Sequence, residues 1–265
     1  MVYLQEPSSW SGYGYFPSFP ATSPYVTAVG ATQGPEEGNP EIACQSNEGG
    51  VITTGGGFST YNPTPSWQQD AVDSYFSGLS SSNTPTSGYN PNGRGYPDIS
   101  MIGVKYQVVV QGKMKSVYGT SASSPVVAAL VSLVNAARSA NNQSAVGFIN
   151  PTLYAYGMPN TLGVNGTNFQ PFNDVTEGYN KCTAGSNPVC CDSGFYATSG
   201  WDPVTGFGSV FYPNFAAMFE VDSDFFDYDD DSNDGSVGIR GMLSAASWIA
   251  TLATFASLTV LTALS

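Results

Sequence analysis

The chain has 265 residues and a formal charge of −13, yet only 10% of its residues are charged, 13% are aromatic, and Gly and Pro number 30 and 18. That length can enclose one sizeable hydrophobic core, and the composition suits a loop-rich secreted α/β domain better than a cytosolic helical one. Seven Lys and Arg with no basic cluster exclude a nucleic-acid partner, and the absence of histidine removes imidazole as base or ligand.

In chain order, residues 1–12 lack a charged start followed by an apolar run, so no signal peptide is visible and the N-terminus reads as truncated. Residues 16–32 form a proline-punctuated loop leading into a buried strand at 25–29, closed by Gly30. A polar loop carrying Cys44 follows, then a short strand at 51–54 that runs into Gly55-Gly56-Gly57-Phe58-Ser59. Three glycines allow either close approach by an extended peptide or a flexible turn. Pro65 opens a helix with Ala71, Val72, Tyr75 and Phe76 on one face. Asp98 follows a proline, a position at which aspartate braces a loop more often than it acts as a catalytic acid. Residues 106–110 and 114–118 pair as a hairpin around Gly112.

The hairpin delivers the chain to Gly119-Thr120-Ser121-Ala122-Ser123-Ser124-Pro125, and an Ala- and Leu-rich stretch continues to Arg138. Gly119 permits a tight turn, Pro125 suits a first helical turn, and the following residues favour helix. Ser121 therefore stands at a helix N-terminus, where unpaired N–H groups and the dipole favour negative charge on or beside its oxygen. Such a serine is a candidate nucleophile; alternatively, Ser121 or Ser123 simply caps a buried helix.

The heptapeptide 119–125 resembles the nucleophile segment of the sedolisins, the serine-carboxyl peptidases that include the tripeptidyl peptidases. Subtilisins share it but use histidine as the base, which this chain lacks. The resemblance extends to residues 16–32, to Gly55-Gly56-Gly57-Phe58-Ser59, to Gly93-Arg94-Gly95-Tyr96-Pro97-Asp98-Ile99 and to 147–154. It implies an α/β, subtilisin-like fold, a mostly parallel sheet with helices on both faces. It also implies that Ser121 attacks a peptide carbonyl with help from a glutamate base, an orienting aspartate and an oxyanion-site aspartic acid, a set suited to acid pH. Those three carboxylates lie upstream of the matching segments in the family and have no counterpart here. The expectation is that residues 1–220 are the C-terminal part of such a domain and inactive alone. A non-catalytic surface module or an inactive truncated copy is the alternative.

Residues 172–178 and 198–208 each place an aspartate among glycines. Taken by themselves, Asp174 and Asp202 are either solvated loop residues or hard oxygen ligands. The resemblance implies one structural Ca2+, held by the Asp174 and Asp202 carboxylates and the carbonyls of Val175, Thr198 and Gly200.

Cys44, Cys182, Cys190 and Cys191 suggest two disulfides, Cys182 with one of the vicinal pair and Cys44 with the other; their spacing fits no common zinc site. The triplets Asn142-Gln143-Ser144 and Asn165-Gly166-Thr167 are compatible with a secretory route. Seven of the 20 acidic residues fall within 222–234, so 221–236 reads as an acidic linker. Residues 237–265 form a hydrophobic tail that suits membrane attachment, as a glycosylphosphatidylinositol signal or a transmembrane helix. The implied setting is the extracellular surface or an acidic vesicle, with a protein or peptide substrate.

Overall fold

The computed structural model describes residues 14–158 and 169–221. The linker beyond Val221, the hydrophobic tail and Asn165 of the second triplet lie outside the described residues.

A five-stranded sheet forms the framework. Its centre is parallel: β1 (Val29–Gln33) pairs with β5 (Ile99–Ile102), Val29 opposite Ile99 and Thr32 opposite Ile102, and β5 pairs with β9 (Ser209–Val210) through Ser100 and Ser209. Antiparallel strands close the edges, β2 (Ile42–Ala43) on β1 and β8 (Phe172–Asn173) on β9. Two antiparallel pairs stand apart from this sheet, β3 (Gly57–Pro63) with β4 (Gly93–Tyr96), and β6 (Tyr106–Val110) with β7 (Lys113–Val117). The helices are α1 (Gln69–Gly78), α2 (Thr120–Ala140), α3 (Asn150–Gly157) and α4 (Tyr212–Ala217). α2 lies against β1 and β5.

The helix expected from Pro65 forms as α1 but begins at Gln69, and of its expected core face Ala71, Val72 and Tyr75 are buried and Phe76 half-buried. Phe58 of β3 packs beside them, with ring centroids 5.1 Å from Phe76, 5.3 Å from Phe195 and 6.1 Å from Trp201. The hairpin also forms as expected, Val110 opposite Lys113 across Gln111 and Gly112.

Two strand expectations need correction. The strand expected at 25–29 begins instead at Val29 and continues through Gly30. Its upstream residues are held irregularly, because Arg94 takes the carbonyls of Ser23 and Val26 and Asp98 takes the Ala28 amide. Gly30 does not end the strand; a Cβ there would lie 2.5 Å from the Ser100 hydroxyl. Residues 51–54 make no ladder. The Val51 carbonyl receives Gly185 N–H at 2.8 Å, and Thr54 N–H goes to Cys44.

Arg94 and Asp98 are wholly buried as an ion pair, Nη2 to Oδ2 at 2.6 Å. Arg94 also donates to the Gly95 carbonyl. Asp98 Oδ2 accepts the Ala28 N–H at 2.7 Å and Oδ1 accepts the Tyr154 hydroxyl at 2.9 Å. Gln68 completes the network, donating to Tyr154 Oη at 2.6 Å and to the Gly95 carbonyl at 2.7 Å while accepting Gly95 N–H. Asp98 is therefore a brace, as its position after proline suggests.

Of the two expected disulfides one is present, Cys182–Cys190. Cys44 and Cys191 remain thiols. They face different acceptors: Cys44 Sγ lies 3.5 Å from the Ile52 carbonyl, in a small cluster with Ala31 and Val104, and Cys191 Sγ lies 3.2 Å from that of Ser193. Burial, and secondarily the nearby Glu36 charge, pushes the Cys44 thiol up to about 12.

Replacing Asp98 by Asn leaves the buried guanidinium without its counter-charge and should cost about 3–5 kcal/mol in urea denaturation; a loss under about 1 kcal/mol would show that the pair holds nothing together. In thiol titration at pH 8, Cys191 should react in the native protein and Cys44 only after unfolding. Equal native reactivity of both thiols would contradict the placement of Cys44.

Candidate active site

Ser121 is set in place by backbone geometry and by a neighbour's hydroxyl. Strand β5 ends at Ile102, and the carbonyl of the next residue, Gly103, accepts Gly119 N–H at 2.7 Å. Gly119 is the N-cap of α2 with φ 146°, a conformation open to glycine and strained for other residues. Ala122 and Ser123 donate back to the Gly119 carbonyl at 2.9 and 3.3 Å, closing the first turn. Neither serine caps the helix with its side chain. The Ser123 hydroxyl, fully buried, instead reaches the carbonyls of Met101 and Ile102 at 3.1 and 2.9 Å, tying the helix start to the carboxyl end of β5. Ser121 is left exposed. It stands where open α/β sheets bind ligands, beyond the carboxyl ends of parallel strands.

Ser121 opens onto a cleft of about 420 Å³. Ala28, Val29, Ile52 and Pro97 supply apolar wall, and Tyr96 and Tyr118 the aromatic part. No Asp, Glu, Lys or Arg lines it, so among the described residues the cleft offers Ser121 no carboxylate base. The glycine triplet divides its work. Gly55 lines the cleft, whereas Gly56 and Gly57 serve packing: a Cβ on Gly56 would meet the Pro203 carbonyl oxygen at 1.9 Å, and one on Gly57 would meet the Phe195 ring at 3.1 Å. The close approach is by the protein's own chain.

The two aspartate segments come together beside β9. Asp202 is wholly buried; its Oδ1 accepts the amides of Val204 and Thr205 at 2.9 and 2.8 Å and its Oδ2 that of Thr198 at 2.9 Å. Asp174, more open, accepts Gly200 N–H at 2.8 Å and the Ser199 hydroxyl at 3.2 Å. Thr198 and Gly200 thus present amides to the carboxylates, and the Val175 carbonyl takes the Thr205 hydroxyl at 3.4 Å. Burial above all, with a further push from the Asp174 charge, raises Asp202 to about 8 despite those donors. No Lys or Arg pairs with either aspartate among the described residues, and no group of three or more Asp, Glu, Cys or His gathers there. Two carboxylates without a cationic partner are the donor type that a hard divalent cation takes, and in this structure backbone N–H groups occupy them.

The loops are joined to β5 and to the two residues ahead of it. Trp201 Nε1 donates to the Pro97 carbonyl at 3.0 Å, Phe207 N–H to that of Asp98 at 2.9 Å, and Ser100 N–H to that of Gly208 at 2.8 Å. The Ser123 anchor and this stitching were not anticipated from the sequence; the Arg/Asp spacing of four in Gly93–Asp98 was the one available signal of the buried pair.

A family model described as the subtilase family matches residues 12–144, half of the chain. The chain belongs to that family. Within it the chain is a partial sedolisin catalytic domain, as its relatives show: tripeptidyl-peptidase SED1 of Arthroderma otae is 38% identical over 78% of the chain and 30% of its own length. Physarolisin of Physarum polycephalum is 36% identical over 77% of the chain and 37% of its own length. Among solved structures, Pseudomonas sedolisin complexed with pseudo-iodotyrostatin matches with TM-score 0.52 and 29% identity over 76% of the chain and 48% of that protein. The chain therefore spans about a third of the length of these curated relatives.

Proposed function

We propose that Ser121 is the nucleophile of a serine-carboxyl peptidase of which this chain forms the C-terminal part of the catalytic domain. The observation that carries the reading is the exposed Ser121 at the start of α2, over an uncharged cleft at the carboxyl end of β5. Ser121 Oγ attacks the scissile carbonyl of a bound protein or peptide, the C–N bond breaks and the amine leaves with a proton, and water then hydrolyses the resulting acyl-enzyme. The Thr120 and Ser121 amides, which precede the first hydrogen bonds of the turn, and the helix dipole favour the negative charge that develops nearby. The proton of Ser121 goes to a carboxylate contributed from outside the described residues. A carboxylate base of ordinary pKa works in acid, so the activity belongs to an acidic extracellular or vesicular space. Release of tripeptides, as the names of the relatives suggest, is the favoured mode.

We further infer that the Asp174 and Asp202 segments hold one structural Ca2+, with the carbonyls of Val175, Thr198 and Gly200 as remaining protein ligands. The ion supplies charge compensation for two carboxylates and locks the loops that β5 and β9 share. The linker 221–236 and tail 237–265 attach the protein to a membrane of the secretory pathway, a reading supported by their composition alone.

Determining the 5′ end of the transcript tests the peptidase reading. An in-frame extension with a Glu and an Asp about four residues apart and a Ser-Gly-Asp segment is expected; a stop codon directly upstream of Met1 would leave Ser121 idle and favour a non-catalytic surface module. The 265-residue chain alone should hydrolyse no peptide between roughly pH 3 and 6, where a carboxylate base could act. Hydrolysis that Ser121→Ala abolishes would refute the need for an outside carboxylate. Calcium at about a hundredfold over Kd should add about 2.7 kcal/mol, roughly 5–10 °C in Tm. That gain should vanish in Asp174→Asn and Asp202→Asn; a full gain in both variants would place the ion elsewhere.

A further inference from the structure

The C-terminal end of α2 carries a surface feature that the peptidase chemistry does not use. The helix stops at Ala140, Asn141 forms its C-cap, and Asn142 follows with φ 56°, the left-handed conformation in which a helix hands over to a loop. Asn142, Gln143 and Ser144 make an Asn-x-Ser triplet whose first and last residues are exposed. The backbone of this turn is held without help from the Asn142 side chain. Asn142 N–H donates to the Ser139 carbonyl at 3.1 Å, Gln143 N–H to that of Arg138 at 2.9 Å, and Arg138 Nε to that of Ser144 at 2.8 Å.

Neighbouring asparagines are used differently. Asn135 Oδ1 accepts Val146 N–H at 2.9 Å, and Asn141 Nδ2 donates to the Ala137 carbonyl at 3.2 Å. The Asn142 amide makes no hydrogen bond to any described residue, and neither does the Ser144 hydroxyl. An amide in open solvent on a fixed turn, with an open hydroxyl two residues on, can accept a substituent without breaking any contact.

We propose that Asn142 is an N-glycosylation site. Its Nδ2 forms a bond to the anomeric carbon of the first N-acetylglucosamine of a polyprenyl-pyrophosphate-linked oligosaccharide; the sugar's bond to phosphate breaks, polyprenyl pyrophosphate leaves, and Nδ2 gives up one proton. The glycan sits about 31 Å from Ser121, since Asn142 lies 21 positions beyond it along and just past α2, at about 1.5 Å per residue. It clears the cleft and stands beside the Arg138–Glu220 pair, 3.9 Å apart, where the chain leaves for the acidic linker. This assignment rests on the secretory part of the reading above and not on the peptidase chemistry.

The test expresses the full 265-residue chain behind a cleavable secretion leader in a yeast host and reads mass. Treatment with an amidase that removes N-linked glycans should lower the mass of the protein and convert Asn142 to Asp in the peptide that carries it. Asn142→Gln and Ser144→Ala should abolish the change at this peptide, and Asn165→Gln should leave it intact. Recovery of the Asn142 peptide unmodified, or a glycan confined to Asn165, overturns the proposal. Sugar transfer occurs as the chain enters the lumen, so protein retained in the cell is read in the same way as secreted protein. Peptide hydrolysis is not measured, so failure here leaves the peptidase reading untouched.

Discussion

The architecture depends on a guanidinium placed where water cannot reach it. Arg94 lies fully buried among the Ser23, Val26 and Gly95 carbonyls and the Asp98 carboxylate. Burying both charges is expensive, so the pair contributes little net stability over an apolar substitute. What it contributes is position. The partners of the pair sit on the approach to β1, on β4, and through Tyr154 on α3. Elements distant in sequence are thereby brought to one point immediately before the parallel strands begin.

From that point β5 runs to the Ser123 anchor at the start of α2. Asp98 precedes its first residue, its edge bonds the 206–210 segment, and its last two carbonyls receive the Ser123 hydroxyl. The candidate cation loops hang from the same strand through Trp201 and Phe207. A cation between Asp174 and Asp202 would thus stiffen the segment that delivers Ser121, though it would touch no reacting atom.

What the sequence made legible follows from the range of the forces involved. Most local signals were sound, although Pro125, expected in a first helical turn, lies inside α2, which starts at Thr120. The Gly119 turn and apolar run gave α2, the spacing of Ala71, Val72 and Tyr75 gave α1, and Gly112 gave the hairpin. Where long-range contacts decide, local reading failed. The approach to β1 looked like a strand because Tyr25-Val26-Thr27-Ala28-Val29 has the composition of one, but its carbonyls are captured by an arginine some seventy positions away. Gly30 looked like a stop, and is small because Ser100 presses against it. The glycine triplet at 55–57 was equally ambiguous, since the pressing group at Gly56 is the Pro203 carbonyl. Ser121 could be singled out from its motif as a candidate. The role of Ser123, two residues on, could not, because it depends on where β5 ends.

The placement of Ser121 and the shape of the cleft are carried by different residues. Ser121 is positioned by Gly119, Ser123 and the end of β5, while Ile52, Thr53 and Ala21 form cleft wall on loops that contribute nothing to that anchorage. The two properties can therefore diverge independently: substitutions on the walls can reshape the cleft generation after generation, while the Ser121 hydroxyl keeps its address.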